Sequence, residues 1–287
     1  MKELVVISGK GGTGKTSLVA ALASLNENMV LADCDVDAAD LHLILQPDIQ
    51  EQGEFVGGKV ARIDPEKCTE CGMCQIVCRF DAVSEDFQVN EIDCEGCGVC
   101  VWSCPAKAIE FVPKVSGNWY VSNTRYGTMV HSQLGIAEEN SGKLVTFVRR
   151  KAQEIARNTQ ADFILVDGPP GTGCPVIAAI GNADQLLIVT EPTVSAKHDM
   201  ERVVQLARHF DVPASICINK FDLNLDLTSE IEQFAQKENL PLAGKIPYDN
   251  SITEAQMQGK SILEFGTSEI QNSFKAVWKE ILEKINH

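Results

Sequence analysis

At 287 residues, 44% hydrophobic and 23% charged, the chain is long enough for one large core plus a small module. Its formal net charge of −15 argues against non-specific binding to nucleic acid or anionic membrane, both of which need clustered positive charge. No apolar run approaches the roughly 18 residues of a membrane-crossing helix, and Met1-Lys2-Glu3-Leu4 leads straight into a strand with no room for a secretory signal, so the expected location is the cytoplasm.

The first element is the apolar strand Leu4-Val5-Val6-Ile7, followed by Gly9-Lys10-Gly11-Gly12-Thr13-Gly14-Lys15-Thr16 and the helical pattern Leu18-Val19-Ala20-Ala21-Leu22. This is strand, glycine loop and helix in the order G-x-x-x-x-G-K-[ST] requires. Glycines let backbone N–H groups curl round an anion and the helix start adds its positive end. Gly9, Gly11, Gly12, Thr13 and Gly14 with Ser17 would form the cradle, Lys15 would neutralise the β and γ phosphates, and the Thr16 hydroxyl would hold Mg²⁺. A ligand-free glycine hairpin would need motif, strand and helix to coincide by accident.

The second strand, Met29-Val30-Leu31-Ala32, ends in Asp33-Cys34-Asp35-Val36-Asp37. Carboxylates at the carboxyl end of a strand beside a phosphate loop can hold the Mg²⁺ shell or position an attacking water. Asp37 and Asp40 read as surface or helix-start charges. Residues 41–52 read as a short helix or loop, and Gly53, Gly57 and Gly58 as a flexible joint.

Eleven cysteines in a cytoplasmic chain do not suggest a disulfide framework. Eight of them form two runs, Cys68-x₂-Cys71-x₂-Cys74-x₃-Cys78 and Cys94-x₂-Cys97-x₂-Cys100-x₃-Cys104-Pro105, each with the bacterial ferredoxin spacing for a [4Fe–4S] cluster. In that arrangement the fourth cysteine of each run reaches the other cube. One cluster is then expected on Cys68, Cys71, Cys74 and Cys104, the other on Cys94, Cys97, Cys100 and Cys78. Zinc is the competing reading of C-x₂-C pairs, but a ribbon needs only four ligands and leaves the further steps unexplained. Arg79 stands where a proline is usual, either as a cation that raises the potential of its cluster or as a solvated charge; the sequence leaves both open. The module spans about 61–113, with Asp81-Ala82-Val83 and Lys107-Ala108-Ile109-Glu110 as short strands after each run. It is inserted in a loop of a larger domain formed by 1–60 and 114–287.

Beyond it, 119–122 and 127–131 read as strands, and a helix opening near Asn140 buries a face of Leu144, Val145, Val148, Ala152, Ile155 and Ala156. The buried strand Phe163-Ile164-Leu165-Val166 ends in Asp167, the Walker B arrangement that bonds a water of the Mg²⁺ shell. Strands then alternate with helices, Gln185–Val189, Ala214–Ile218 and Leu242–Ile246, as a doubly wound, mainly parallel α/β sheet requires. The last helix, from about Ser268, carries one apolar stripe and a mixed-charge polar face, so packing on the sheet is favoured over a membrane surface.

With Lys10 included, the loop K-G-G-x-G-K-T resembles the deviant Walker A loop of MinD/ParA-type P-loop ATPases, a group that includes the nitrogenase iron protein and Mrp-type iron–sulfur carriers. Together with the cysteine runs, nearly the whole chain is similar to MinD-type ATPases that carry an inserted two-cluster ferredoxin domain. The resemblance implies that Lys10 reaches across a nucleotide-sandwich dimer, and that Asp35 works from switch I with Asp33 in support. It also implies that Gly168-Pro169-Pro170-Gly171-Thr172-Gly173 is switch II, that Asn219 reads the adenine and that the loop at Pro247 closes over the base. Lys10, Lys15, Asp35 and Asp167 are then the hydrolytic set, with ATP, Mg²⁺ and two [4Fe–4S] clusters as cofactors. The partners implied are a like chain or a similar ATPase, bound in a nucleotide-dependent way, and a redox or metallocluster protein. The expected function is a slow, partner-stimulated ATPase coupled to electron transfer or metallocluster assembly. The alternative is a positioning or scaffold ATPase whose clusters sense redox state or serve as staples. Of the other cysteines, Cys34 and Cys217 read as core residues, while Cys174, seven residues after Asp167, sits much as a cluster-bearing cysteine does in the nitrogenase iron protein.

Overall fold

The computed structural model describes residues 1–26, 28–135 and 141–285. They divide into two compact units, one of Met1–Gln52, Trp119–Gln133 and Ser141–His287, the other of Gly53–Asn118 and Leu134–Asn140.

The larger unit is built on parallel strands. β1 (Lys2–Ser8) and β2 (Met29–Asp33) are buried along almost their whole length, as are β6 (Phe163–Pro170), β7 (Gln185–Thr190) and β8 (Ala214–Asn219). Near-continuous apolar runs of this kind suit a sheet covered on both faces. With β5 (Gly127–Leu134) and β9 (Leu242–Ile246) they stand in the order β5-β2-β6-β1-β7-β8-β9. All neighbouring pairs are parallel. α1 (Lys15–Ala23) is buried nearly all round, which its run of Leu, Val and Ala permits. The later helices α5 (Ser141–Thr159), α7 (Val194–His209) and α8 (Leu225–Lys237) are amphipathic, each burying one stripe. α11 (Ser268–Ile285) buries Ile270, Phe274, Val277, Trp278, Ile281 and Ile285, and Trp278 meets Phe163 of β6 edge-on at 5.8 Å. Its stripe is spent on the core. Among the described residues no helix is long and apolar enough to cross a membrane.

Parallel pairing brings every strand's carboxyl end to one edge. Asp33 of β2 stands opposite Asp167 of β6, and Val6 of β1 stands opposite Asp167 on the other side. Ser8 of β1 pairs with Val189 of β7, and Thr190 pairs with Ile218 of β8. Residues next to the strand ends therefore converge, as the crevice of an open α/β sheet requires.

The smaller unit has a twofold internal repeat. α3 (Met73–Val77) and α4 (Val99–Ser103) each begin at a left-handed glycine, Gly72 (φ 72°) and Gly98 (φ 75°). Left-handed Glu70 and Asp81 recur as Gly96 and Lys107, all at the same offset of 26 residues as the cysteines. Its core is small: buried Ala61, Cys74 and Ile109, with partly buried Ile63, Val83, Phe87 and Val89 against them.

Four expectations change here. Gly53, Gly57 and Gly58 are not a flexible joint but lie inside β3 (Asp48–Ile63), which follows the short α2 (Leu41–Leu45). A Cβ on Gly57 would come within 2.7 Å of the Ser116 hydroxyl, so the glycine permits a close backbone approach. The strands expected at 107–110 and 119–122 join in one long strand, β4 (Ile109–Thr124), which leaves out Lys107 and Ala108. The one expected at 81–83 reduces to an antiparallel bridge between Val83 and Val89. β6 also runs three residues past Asp167, as far as Pro170, so the start of the glycine-proline loop is strand. Gly168 allows this because a Cβ there would meet Ile7 and the Val6 carbonyl of β1. Of the expected helix start, Asn140 lies outside the described residues.

Candidate functional site

The phosphate-loop residues connect β1 to α1. Gly12 (φ 77°) and Gly14 (φ 87°) are left-handed, a conformation that costs glycine nothing. A Cβ at Gly11 or Gly12 would meet nothing within 4 Å, whereas one at Gly14 would strike the Asn219 amide. α1 starts at Gly14 with no side-chain cap and no acid in its first turn, which leaves its positive end unneutralised. Thr13 is buried, and its hydroxyl oxygen has no hydrogen-bond partner among the described residues. Thr16 is half-buried, and the Ser17 hydroxyl accepts a 2.6 Å bond from Gln256 on α9 (Asn250–Met257).

Lys15 is buried and its ammonium bonds Asp167 at 2.6 Å and Asp35 at 3.1 Å. Burial works against its charge, but Asp167 and Asp35 outweigh that and hold Lys15 above the ordinary lysine range. Asp33 lies beside them, its Oδ1 accepting the Asp35 backbone N–H at 3.2 Å. Burial, reinforced by Asp167, pushes the Asp33 carboxyl well above the usual carboxylate range; Asp35 is also raised, mainly by burial, against the pull of Lys15. Three carboxylates thus face one ammonium in a buried site, and the Oδ2 atoms of Asp33 and Asp167 have no hydrogen-bond partner among the described residues. The three carboxylates do not converge on one point, but their surplus negative charge suits a hard divalent cation bound nearby, held in part through water.

A second cluster joins the loop to the ends of β7 and β8. Asn219 donates to the Thr13 carbonyl at 2.7 Å. The next residue, Lys220, donates to the Gly12 carbonyl at 3.2 Å and pairs with Glu191 at 3.0 Å. Glu191 also takes Lys10 at 2.9 Å. Burial alone would raise the Glu191 carboxyl, yet its bonds to Lys10 and Lys220 hold it below the ordinary range. Pro247 is half-buried just past β9, and Tyr248 beside it donates its backbone N–H to Asp222 at 2.7 Å, tying that loop to the turn after β8. Sequence reasoning missed Glu191, Lys220 and Gln256. The only signal for Glu191 and Lys220 was their place just beyond buried strands.

In the smaller unit the cysteines line two cavities. Cys68, Cys71, Cys74 and Cys104 border one. Cys94, Cys97, Cys100 and Cys78 border the other. In each, the fourth thiol comes from the other run. Among the described residues no group of three or more His, Cys, Asp or Glu is drawn close enough to hold a single metal ion. Backbone N–H groups of Glu70 and Ala108 donate to the sulfurs of Cys68 (3.5 Å) and Cys104 (3.3 Å). Burial pushes the Cys74 and Cys100 thiols up, a cost that coordination to a cation would reverse. Two sets of four thiols fit iron–sulfur chemistry. Arg79 is exposed.

The other three cysteines are separate. Cys34 and Cys217 are buried strand-end and strand residues, with the Cys217 thiol pushed up by burial to about 12. Cys174 is exposed at the start of α6 (Cys174–Ile180).

Comparison with known proteins agrees with this geometry. Residues 4–262 match the CobQ/CobB/MinD/ParA nucleotide binding domain. The chain is 32% identical over 288 residues to the uncharacterized protein MJ0578 of Methanocaldococcus jannaschii, covering 99% of this chain and 97% of that one. It is 23% identical over 302 residues to the iron-sulfur cluster carrier protein of Pyrococcus furiosus, covering 99% and 86%. In fold it is similar to the cell division ATPase MinD of Pyrococcus furiosus, with a TM-score of 0.59, 19% identity and 99% of each chain covered. A phosphate loop at the sheet's carboxyl edge, matched over residues 4–262, makes this chain a member of the CobQ/CobB/MinD/ParA nucleotide-binding family, on a MinD/ParA-type fold.

Proposed function

We propose that this chain is a nucleotide-switched iron–sulfur protein. In this reading it binds Mg-ATP at the phosphate loop, hydrolyses it slowly, and uses the nucleotide state to control pairing with a second copy or a similar ATPase. Two [4Fe–4S] clusters in the small unit pass electrons to, or assemble metalloclusters for, a partner protein. The observation that carries the proposal is the pair of four-cysteine cavities, each completed by the fourth thiol of the other run, in a chain that also has the phosphate-loop site. The iron-sulfur cluster carrier relative points the same way.

The roles in this reading are those the family resemblance implies. Backbone N–H groups of Gly11 to Thr16 and the start of α1 bind the phosphates, while Lys15 turns from Asp35 and Asp167 to the β and γ oxygens. Thr16, Asp35 and Asp167 are the groups that would hold Mg²⁺ and its water shell, and the cation would supply charge neutralisation at the phosphates. Asp35 orients the attacking water, Asp33 supports it, and Lys10 serves the neighbouring subunit's phosphates. Asn219 reads the base and the Pro247 loop covers it.

The test is an anaerobic potentiometric EPR titration of the reconstituted protein, without nucleotide and with a slowly hydrolysed Mg-ATP analogue, preceded by iron and sulfide analysis. Eight iron and eight sulfide per chain are expected on the two-cluster reading, together with a shift in potential, since about 59 mV in a one-electron couple corresponds to a tenfold difference in nucleotide affinity between redox states. Superimposable curves would remove the coupling and favour a positioning ATPase.

A further inference from the structure

Lys10 is fully engaged inside its own chain. Its ammonium has three N–H donors and meets three acceptors, Glu191 Oε1 at 2.9 Å, Thr193 Oγ1 at 3.2 Å and Ser195 Oγ at 3.2 Å. Glu191 is the charged member of that set, and its other oxygen is held by Lys220 at 3.0 Å, which in turn grips the Gly12 carbonyl. The side chain of Glu191 is 13% exposed and that of Lys10 31%, so the pair is partly sheltered from solvent. Glu191 and Thr193 lie in the connection from β7 to α7, and Thr193 and Ser195 bound the first turn of that helix, where Thr193 caps it by accepting from Ala196.

We propose that Glu191 is an intramolecular counter-ion that parks Lys10 against the β7–α7 connection and must release it before Lys10 can reach phosphate across a dimer. This rests on the reading above, in which Lys10 acts on a neighbouring subunit. A bound triphosphate favours release for two reasons. Its oxygens compete with a single carboxylate for Lys10 and Lys220, and its negative charge beside Glu191 repels that carboxylate. Glu191 is therefore a positioning residue, setting how much of the chain's association energy is consumed in freeing Lys10. Its depressed titration keeps the latch charged at neutral pH.

Two measurements on the full chain test this. Sedimentation with a saturating slowly hydrolysed Mg-ATP analogue compares wild type, Glu191→Gln, Lys10→Ala, the double variant and Lys220→Gln. Glu191→Gln keeps shape and hydrogen bonding but removes the charge. It should tighten dimerisation about fivefold, the scale of one partly sheltered ion pair, and the gain should vanish in the Lys10→Ala background. Weaker or unchanged dimerisation, a gain that persists without Lys10, or an equal gain from Lys220→Gln would each overturn the latch. The second measurement is trace acetylation with acetic anhydride, read at Lys10 by mass spectrometry without nucleotide. Lys10 should label several-fold faster in Glu191→Gln than in wild type, and equal rates would overturn the proposal whatever the oligomeric state. If wild type binds the analogue yet stays monomeric, the dimer reading fails by itself, while the labelling still decides whether Glu191 holds Lys10.

Discussion

The two units hold their sites together by opposite means. In the larger, the sheet comes first. Leu4 to Ile7, Leu31, Ile164 to Val166 and Leu186 to Ile188 are all but inaccessible to solvent, and that packing forces Lys15, Asp33, Asp35 and Asp167 together at a cost in buried charge. In the smaller, Ala61, Cys74 and Ile109 form a core cluster that the partly buried cysteines themselves complete, so the proposed clusters would be as much scaffold as cargo. A site can be paid for by the fold, or the fold by the site. The contrast predicts that the large unit tolerates loss of its ligand and the small unit does not.

The largest expected effect tests that directly. Removing iron with a chelator under reducing conditions should unfold Gly53–Asn118, seen as new cleavage sites in limited proteolysis, while nucleotide binding by the larger unit persists. Protection of both units after iron removal would break the comparison. Next is Lys15→Ala, which leaves Asp33, Asp35 and Asp167 facing each other without their cation. A loss of about 3–5 kcal/mol in denaturant unfolding is expected, as for a broken buried pair, together with loss of nucleotide binding. Added Mg²⁺ should recover part of the stability.

A smaller effect is expected from pH. His131 is buried on β5, its Nε2 2.9 Å from the Ser122 hydroxyl, and burial, with His42 nearby, lowers its pKa from 6.5 to about 4. The imidazole stays neutral in the folded chain while the unfolded chain takes up a proton, so its contribution is complete above pH 6.5 and falls away as pH drops from 6.5 towards 4. The loss amounts to at most about 3 kcal/mol. His131→Gln should flatten that limb of the stability profile, and an unchanged limb would show that other groups set it. The smallest effect is that of Gly57→Ala, where the added methyl meets Ser116. About 1–2 kcal/mol is expected, confined to the small unit's transition; a shift of the large unit's transition instead would blur the distinction between the two.

Much of the large unit was legible because its signals are local. An all-buried strand followed by G-x-x-x-x-G-K-T carries its own conformational demands, as at Gly12 and Gly14, and so does an aspartate after four apolar residues. The cysteine runs were legible for the same reason, since a thiolate every third residue on a tight turn can be read without knowing what surrounds it. The glycines at 53, 57 and 58 misled because a glycine is read from sequence as freedom, whereas at Gly57 its value is lack of bulk against Ser116, 59 residues further along the chain. The long β4 was read as two separate pieces because polar Lys114, Ser116 and Asn118 interrupt its apolar pattern.

By itself, then, the sequence determined the strand–loop–helix of the phosphate site, the doubly wound class and the two cysteine runs, because each depends on spacings of a few residues that backbone geometry interprets directly. Only the tertiary structure decided which carboxylates face Lys15, through the parallel register that sets Asp33 against Asp167. It also decided that Glu191 and Lys220, from two other strands, close on Lys10 and Gly12. Those contacts join residues about 180 to 210 positions apart, and what brings them into hydrogen-bond range is the common carboxyl edge of a parallel sheet, which no local pattern records.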